Sequence, residues 1–174
     1  MADGRPIQWA LRHPLVTAAG VTLAGLVVVG ALAHVVAPYS PTAVDSSHVF
    51  SPPGGSHLFG TDRFGRDLFS RVLFGIRVSL GIAGAAIAVA LLTGGTLGML
   101  AGLGRVADQA LGRVMDVFFA FPPILLAIGI AAVLGAGPGT AVVAIAVVYT
   151  PLFFRVIRGS VLAESAQTYV EAAE

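Results

Sequence analysis

The chain alternates long apolar runs with short polar segments. Four runs of about twenty residues carry little charge, and each is long enough to cross about 30 Å of hydrocarbon as a helix that rises roughly 1.5 Å per residue. The runs lie at residues 15–36, 78–102, 113–134 and 140–158. This pattern predicts an all-α membrane protein, a polytopic bundle with four transmembrane helices. The polar segments between and around them are residues 1–14, 37–77, 103–112, 135–139 and 159–174.

The first apolar run has one rival interpretation, a secretory signal peptide. Its 22 residues exceed the roughly 7–15 apolar residues of a signal peptide, and the sequence APYSP that follows is a poor cleavage site. A membrane span is therefore the favoured interpretation.

Residues 37–77, here called the outer segment, combine a loop with a charged stretch. Prolines and glycines break regular structure in its first half. Residues 59–77 place phenylalanines among arginines and aspartates at helical spacing, which predicts an amphipathic helix on the membrane surface. Within it, Asp67 and Arg71 are spaced for an ion pair one turn apart.

Histidines do not indicate a metal site. His48 and His57 are nine residues apart in the loop, with no cysteine to complete a ligand set. We expect both to be solvated, and His34, near the end of the first run, to lie at the membrane interface.

The second run contains small residues at a regular step. Gly94, Gly98 and Gly102 repeat every four residues and would form one ridge along a helix. Such ridges let two helix backbones approach closely inside a membrane. We therefore predict that this helix packs tightly against others.

Prolines interrupt the last two runs. Pro122 and Pro123 lie in the middle of the third run, and Pro151 lies in the fourth. Proline removes a backbone donor and kinks a helix, which a membrane tolerates where neighbours or a cavity satisfy the freed carbonyls. Two interpretations stay open, a static bend and a bend that lines a pathway.

The last stretch, residues 159–174, is a polar amphipathic helix by pattern. Ser160 follows Gly159 and suits an N-cap that starts a new helix. Its apolar residues recur at steps of three and four and share one face, namely Leu162, Ala166, Tyr169 and Ala173. The face either packs in a groove of another protein or lies in the lipid interface.

Composition narrows the functions open to the chain. Apolar residues make up 56% of it and charged residues 11%, which is typical of a membrane protein. Without cysteine, disulfides, thiolate metal sites and cysteine catalysis are excluded. All ten basic residues are arginine, so the chain lacks the lysine of a phosphate-binding loop and is not itself a P-loop ATPase. A net charge of +1 gives no reason to expect nucleic acid.

Short connections imply antiparallel neighbours, so four spans place both chain ends on one side. With the N-terminus in the cytoplasm, six arginines lie inside and four outside, which favours this orientation narrowly. An intramembrane enzyme would need ionisable pairs at membrane depth, whereas Asp116 lies at the end of its run. We therefore expect no enzymatic activity.

Several stretches together resemble one family. They are HPLVTAAGVTLAGLVVVGALAHVVAPYSP at 13–41, GTDRFGRDLFSR at 60–71, RVMDVFFAFPP at 113–123, TPLFFRVIRGSVL at 150–162 and YVEAA at 169–173. The combination resembles the permeases of peptide and nickel ABC importers, specifically the second-permease type of the dipeptide and oligopeptide systems. Two departures are HLFGTD, where the family usually has HPLGTD, and Glu174, where a basic residue is common.

The resemblance implies a type I ABC importer permease fold of six spans, of which four would be present here. It implies a location in the bacterial cytoplasmic (inner) membrane with the N-terminus in the cytoplasm. It also implies a coupling helix that begins with an EAA motif and docks in a cleft of an ATPase, incomplete here because the sequence stops at Glu174. The residues implied in ATPase coupling are Leu162, Tyr169, Val170, Glu171, Ala172 and Ala173.

The resemblance further implies a transport subunit that imports di- or oligopeptides, or nickel complexes, by alternating access. Its partners would be a second permease subunit, two cytoplasmic ATPase subunits that hold ATP and magnesium, an extracytoplasmic substrate-binding protein and the lipid bilayer. No cofactor is expected in this chain. The alternative is a membrane scaffold that binds partners without transporting. The outer residues implied at the pathway mouth are Gly60, Thr61, Asp62, Gly65, Arg66, Asp67 and Arg71.

Overall fold

The structure is a computed structural model and describes residues 13–165. These residues contain six α-helices and one 3₁₀ turn, joined by loops. The helices are α1 (Pro14–Ala31), α2 (Ala33–Val36), α3 (Leu68–Leu103), α4 (Arg105–Ala120), α5 (Pro123–Leu134) and α6 (Pro138–Ser165), and the 3₁₀ turn is Ser46–His48. Over these residues the only extended pairing is one isolated antiparallel bridge between Thr61 and Asp67. The predicted all-α membrane fold is confirmed.

Three helices, α1, α3 and α6, are long and apolar enough to cross a membrane. The pair α4 and α5 passes the same test together, but the two helices are bent by 92°. Between residues 13 and 165 the chain therefore holds three spans, or four when the bent pair counts as one. Apolar side chains of α1 point outward, with Val21 68% exposed, as expected of a helix whose surroundings are lipid or other helices.

The bend between α4 and α5 lies at the two consecutive prolines. Phe121 is extended (φ −89°, ψ 135°), as expected of a residue that precedes proline. Pro123 occupies the first turn of α5, where a missing N–H breaks no helical hydrogen bond. The Pro122 carbonyl accepts a hydrogen bond from the Leu125 N–H at 3.0 Å and so starts the new helix.

Helix boundaries differ from the sequence prediction at three places. Residues 105–112, predicted as part of a turn, are helical. The extended Gly104 (φ −148°, ψ 125°) alone separates α3 from α4. Residues 68–77 belong to the same helix as the second apolar run. Residues 159–165 continue α6, since the Ser160 hydroxyl donates to the Val156 carbonyl at 3.1 Å and does not cap a new helix.

The chain divides into two compact units, residues up to Leu80 and residues from Gly81 onward. In the first unit, α1 packs on the start of α3. A Cβ at the buried Gly30 would lie 3.3 Å from the Cα of Arg77, and the His34 ring meets Phe74 edge-on with 4.9 Å between centroids.

The core of the second unit joins α3, α4 and α6. Ala101, Met115 and Phe154 are buried there, one from each helix, and Leu97 and Leu111 pack against them. Because α6 also packs along α5, it contacts every other helix of this unit.

Candidate functional site

The outer segment is a hydrogen-bonded loop until α3 begins. Two of its stretches, residues 45–51 and 60–66, run alongside each other. Backbone hydrogen bonds of 3.1–3.2 Å join them, namely Asp45 N–H to Phe64, Phe50 N–H to Asp62 and Thr61 N–H to Ser51. The loop therefore has a defined backbone of its own.

Gly60 and Gly65 permit this close pairing. Both have positive φ, 73° and 71°, in the left-handed region that favours glycine. A side chain at Gly65 would collide with the carbonyl oxygen of Asp45, and one at Gly60 would lie 2.5 Å from that of Ser51. Because neither glycine is helical, the helix predicted from residue 59 begins only at Leu68, and it is not a separate surface helix, since it continues into the second apolar run.

Asp62 pairs with two of the arginines that were predicted at the pathway mouth. Its carboxylate accepts hydrogen bonds from the N–H groups of Phe64 (2.8 Å) and Arg66 (3.0 Å), and it forms ion pairs with the guanidinium groups of Arg66 (2.7 Å) and Arg71. Burial by itself raises the pKa of Asp62, but the hydrogen bonds from Arg66 and Phe64 outweigh it and hold the pKa below its ordinary value. Asp62, Arg66 and Arg71 thus form one charged cluster.

Asp67 has different partners from the one predicted. Its carboxylate caps α3 by accepting the Ser70 N–H at 2.7 Å, and it lies 3.0 Å from His57 Nδ1. Burial by itself raises the pKa of Asp67, but the hydrogen bonds from Ser70 and His57 outweigh it and lower the pKa. The predicted pairing of Asp67 with Arg71 is wrong, and so is the prediction of a solvated His57, which is 8% exposed.

Three residues of this network were missed from the sequence. His57 and Ser70 are buried, and the Ser70 hydroxyl accepts the Tyr39 N–H at 3.1 Å. Ser70 lies three residues after Asp67, the spacing of an N-cap contact, so a local signal for that pair existed. His57 and Tyr39 are distant in sequence from their partners, so no local pattern indicated their contacts. Across residues 13–165 no three histidine or carboxylate side chains converge as metal ligands would.

The predicted glycine ridge of α3 lies against α6. A Cβ at Gly98 would lie 2.7 Å from the Phe154 carbonyl oxygen, one at Gly102 would lie 2.5 Å from Val161 Cγ1, and one at Gly94 would lie 3.0 Å from the Phe154 nitrogen. The contacts advance in the same direction along both helices, so α3 and α6 run parallel. Glycine is needed here because any side chain would push the backbones apart.

A polar contact accompanies this ridge. The hydroxyl groups of Thr93 in α3 and Thr150 in α6 lie 2.9 Å apart. Each hydroxyl also lies 2.8 Å from a carbonyl of its own helix, that of Val89 or that of Ala146. Because a hydroxyl has one proton, one threonine donates across the helix pair when the other donates to its own carbonyl.

The three predicted kink residues lie in two places. Pro122 and Pro123 form the α4–α5 bend, and the preceding Phe121 lines a cavity of about 630 Å³ between α5 and α6. Pro151 is buried within α6 and lines an apolar cavity of about 380 Å³. Their role in a pathway stays a prediction.

An ion pair between α4 and α6 was also missed. Arg158 donates from Nη2 to Asp108 Oδ2 at 2.9 Å and from Nε to the other carboxylate oxygen. One turn earlier, the Arg155 guanidinium stacks on the Phe119 ring, 4.0 Å from its centroid. The ionic partners are 50 residues apart, so no local pattern in the sequence indicates the pair.

Of the residues predicted to couple to an ATPase, the structure describes Leu162. It lies on α6 with 41% of its surface exposed. The others lie outside the described residues: Tyr169, Val170, Glu171, Ala172 and Ala173.

Comparison with known proteins finds a family match that covers the glycine ridge of α3 and helices α4 to α6. Residues 94–174 match a family described as the inner membrane component of binding-protein-dependent transport systems. The match begins at the first glycine of the ridge and continues to the last residue of the sequence. The resemblance that the motifs indicated is confirmed.

Several relatives are similar over most of the chain. A glutathione transport system permease protein of Pectobacterium atrosepticum is 39% identical over 165 residues, which are 94% of this chain and 55% of the relative. A putative peptide transport system permease protein of Brucella suis is 43% identical over 152 residues (85% and 51%). A probable D,D-dipeptide transport system permease protein of Escherichia coli is 36% identical over 174 residues (99% and 58%). The chain spans about half the length of the curated relatives it matches.

Proposed function

We propose, from the match of residues 94–174 to the family of binding-protein-dependent transport system inner membrane components, that this chain forms part of a permease subunit of an ABC importer. The observation that carries the proposal is the similarity to transport permeases over 94% of the chain. The close packing of α3 on α6 supports it, because helices built to move within a membrane need rigid contacts through which motion is transmitted.

The substrates that we propose are small peptides. Relatives of this chain are named for the transport of glutathione, peptides and D,D-dipeptides, which all contain amide-linked amino acids. These names favour peptides over the nickel complexes that the motifs also allowed.

Transport would proceed by alternating access. Two partner ATPases, which would hold the ATP and magnesium, would close on each other and move the coupling helix. In this chain Tyr169, Val170 and Glu171 would dock to an ATPase, and Leu162 would lie on the helix that leads to them. The unbroken course of α6 from Pro138 to Ser165 supports this route, because one helix carries both the apolar span and the exposed Leu162.

The outer segment would face a substrate-binding protein or cover the pathway mouth, with the N-terminus of the chain in the cytoplasm. The charged cluster of Asp62, Arg66 and Arg71 supports this, since a hydrogen-bonded loop with fixed charges offers a surface that a soluble partner can recognise. Pro122, Pro123 and Pro151 would shape the pathway wall.

Replacement of Glu171 tests the coupling role. In the complete importer, Glu171→Leu should abolish substrate uptake while leaving membrane insertion intact, because it removes a charge from the docking segment and adds bulk there. Uptake of a labelled dipeptide and the amount of protein in the membrane fraction measure the two effects.

Glu164→Leu is the matched control. It makes the same chemical change within α6, before the proposed docking residues, and it should preserve uptake. Full uptake by the Glu171→Leu variant would refute the docking role. Affinity purification then separates a transporter subunit from a scaffold, since a transporter subunit should bring down a P-loop ATPase and a scaffold should not.

A further inference from the structure

Two cavities of the second unit share a wall. The first, of about 270 Å³, lies between α4 and α6 and is lined largely by charged side chains. The second, of about 380 Å³, is apolar and lies between α3, α4 and α6. The buried Met115 lies between the two cavities, and the exposed neighbours Arg113 and Val114 line one cavity each.

The charged cavity has a positive balance. Arg158 and Asp108 neutralise each other as a bidentate ion pair. Arg113 and Arg155 then face a single further carboxylate, that of Asp116, which leaves one net positive charge. The cavity therefore suits a ligand that carries one negative charge.

Arg155 is held in position to bind an oxyanion. Its guanidinium lies on the Phe119 ring at 4.0 Å, which covers one face of the group. A guanidinium donates its hydrogen bonds in its own plane, so a stacked face leaves the N–H edge directed toward a partner. Arginine in this state matches the oxygens of a phosphodiester.

The apolar cavity suits a hydrocarbon chain. Apart from the hydroxyls of Thr93 and Thr150, which bond to each other and to their own helices, its lining is aliphatic or aromatic. Val114 lies at its edge and is 49% exposed, so the cavity opens to the surroundings of the helices. A ligand with an acyl chain would bury that chain there without meeting an unsatisfied polar group.

We propose that these two neighbouring cavities form a binding site for an anionic phospholipid, with the phosphodiester at Arg113 and Arg155 and an acyl chain that enters the apolar cavity past the exposed Val114. Arg155 stands near the end of the fourth apolar run and Arg113 at the start of the third, at the depth expected for lipid headgroups. The site is independent of the transported substrate.

Native mass spectrometry of the chain extracted in detergent tests this. Phosphatidylglycerol and phosphatidylcholine with identical acyl chains are added in equal amounts. The chain should retain phosphatidylglycerol preferentially, and Arg113→Gln and Arg155→Gln should each weaken its retention about fivefold, the usual effect of one basic residue on anionic lipid. Arg63→Gln, in the outer segment, is the matched control and should change nothing.

A second measurement probes the apolar cavity directly. A photoreactive amino acid at position 114 should cross-link to phosphatidylglycerol in membranes of the assembled protein, and Arg155→Lys, which keeps the charge but loses the planar donors, should weaken that cross-link less than Arg155→Gln does. Equal retention of both lipids would overturn the proposal. Cross-linking to a polypeptide in place of lipid would also overturn it, because the groove would then hold a helix.

Discussion

At the scale of single residues, the carboxylates of the outer segment are each held by several donors. Asp45 accepts the Ser47 N–H at 2.9 Å and also contacts the Ser47 hydroxyl and His48 Nδ1. The hydrogen bonds from Ser47 and His48 lower the pKa of Asp45 from 3.8 to about 2. Asp62 and Asp67 have lowered pKa values as well, so this loop is stabilised by ionised carboxylates.

Acid should therefore loosen the outer segment. A carboxyl whose pKa is lower in the folded state stabilises that state above its unfolded pKa, and the stabilisation is lost as the pH falls through the folded pKa. For Asp45 this loss spans the interval from 3.8 down to about 2. The protection factors of amides in residues 45–67, which compare their hydrogen exchange in lipid vesicles with that of an unstructured peptide at the same pH, should stay constant from neutral pH to about pH 4 and then fall.

Asp45→Asn should weaken this acid response, and Glu164→Gln in the second unit should leave it unchanged. Protection factors that stay the same down to pH 2 in the unsubstituted protein would show that these carboxylates do not stabilise the loop.

Residue pairing was the part that sequence reasoning predicted least well. Asp67 and Arg71 have helical spacing, yet Asp67 turns to His57 and Arg71 to Asp62. The reason is the backbone, since the positive φ angles at Gly60 and Gly65 bring distant residues together before α3 begins. Periodicity describes regular elements, and it has no information about such a turn.

At the scale of helices, the glycine ridge was recognisable because its step matches the helical repeat. The sequence could not identify the partner helix. Phe154 and Val161 of α6 have no pattern that marks them as the opposing surface. The break at Pro122 and Pro123 was equally visible as a kink, whereas its 92° angle depends on how α5 packs along α6.

The ridge predicts opposite effects for two identical substitutions in α3. Gly98→Ala places a Cβ 2.7 Å from the Phe154 carbonyl oxygen, so it should destabilise the helix pair by about 1–3 kcal/mol. Gly84→Ala meets nothing within 4 Å and should be neutral or stabilise the helix by up to about 1 kcal/mol. The free energy of unfolding in mixed micelles measures both changes.

Equal effects of the two alanines would mean that α3 and α6 are not in close contact at Gly98. Gly102→Ala offers a further check, since its Cβ would lie 2.5 Å from Cγ1 and 2.6 Å from Cβ of the stiff Val161 and should destabilise the helix pair as well.

At the scale of the whole molecule, orientation in the membrane decides the proposed roles of both ends. The sequence favours a cytoplasmic N-terminus by six arginines to four. In the structure Asp62 pairs with two of the four outer arginines, Arg66 and Arg71, which weakens their pull on topology. The apolar runs alone could not reveal this pairing.

The absence of cysteine from the sequence makes the orientation easy to measure. Ser56→Cys, in the outer segment, should react in intact cells with a maleimide that cannot cross lipid, and Ser160→Cys should react only after the cells are opened. Both serines are exposed, so access to reagent is set by the membrane. Labelling of Ser160→Cys in intact cells would place α6 the other way round and contradict the coupling role.

The contact between α3 and α6 has a practical consequence. The contact is made by Gly94, Gly98 and Gly102, which meet backbone atoms and aliphatic carbons. These glycine contacts contain no group that changes its charge with pH and no charge that salt could screen. Low pH and high salt should therefore weaken the outer segment and leave the contact between α3 and α6 unchanged. Simple solution conditions can thus separate a defect in the outer segment from a defect in the contact between α3 and α6 before any residue is replaced.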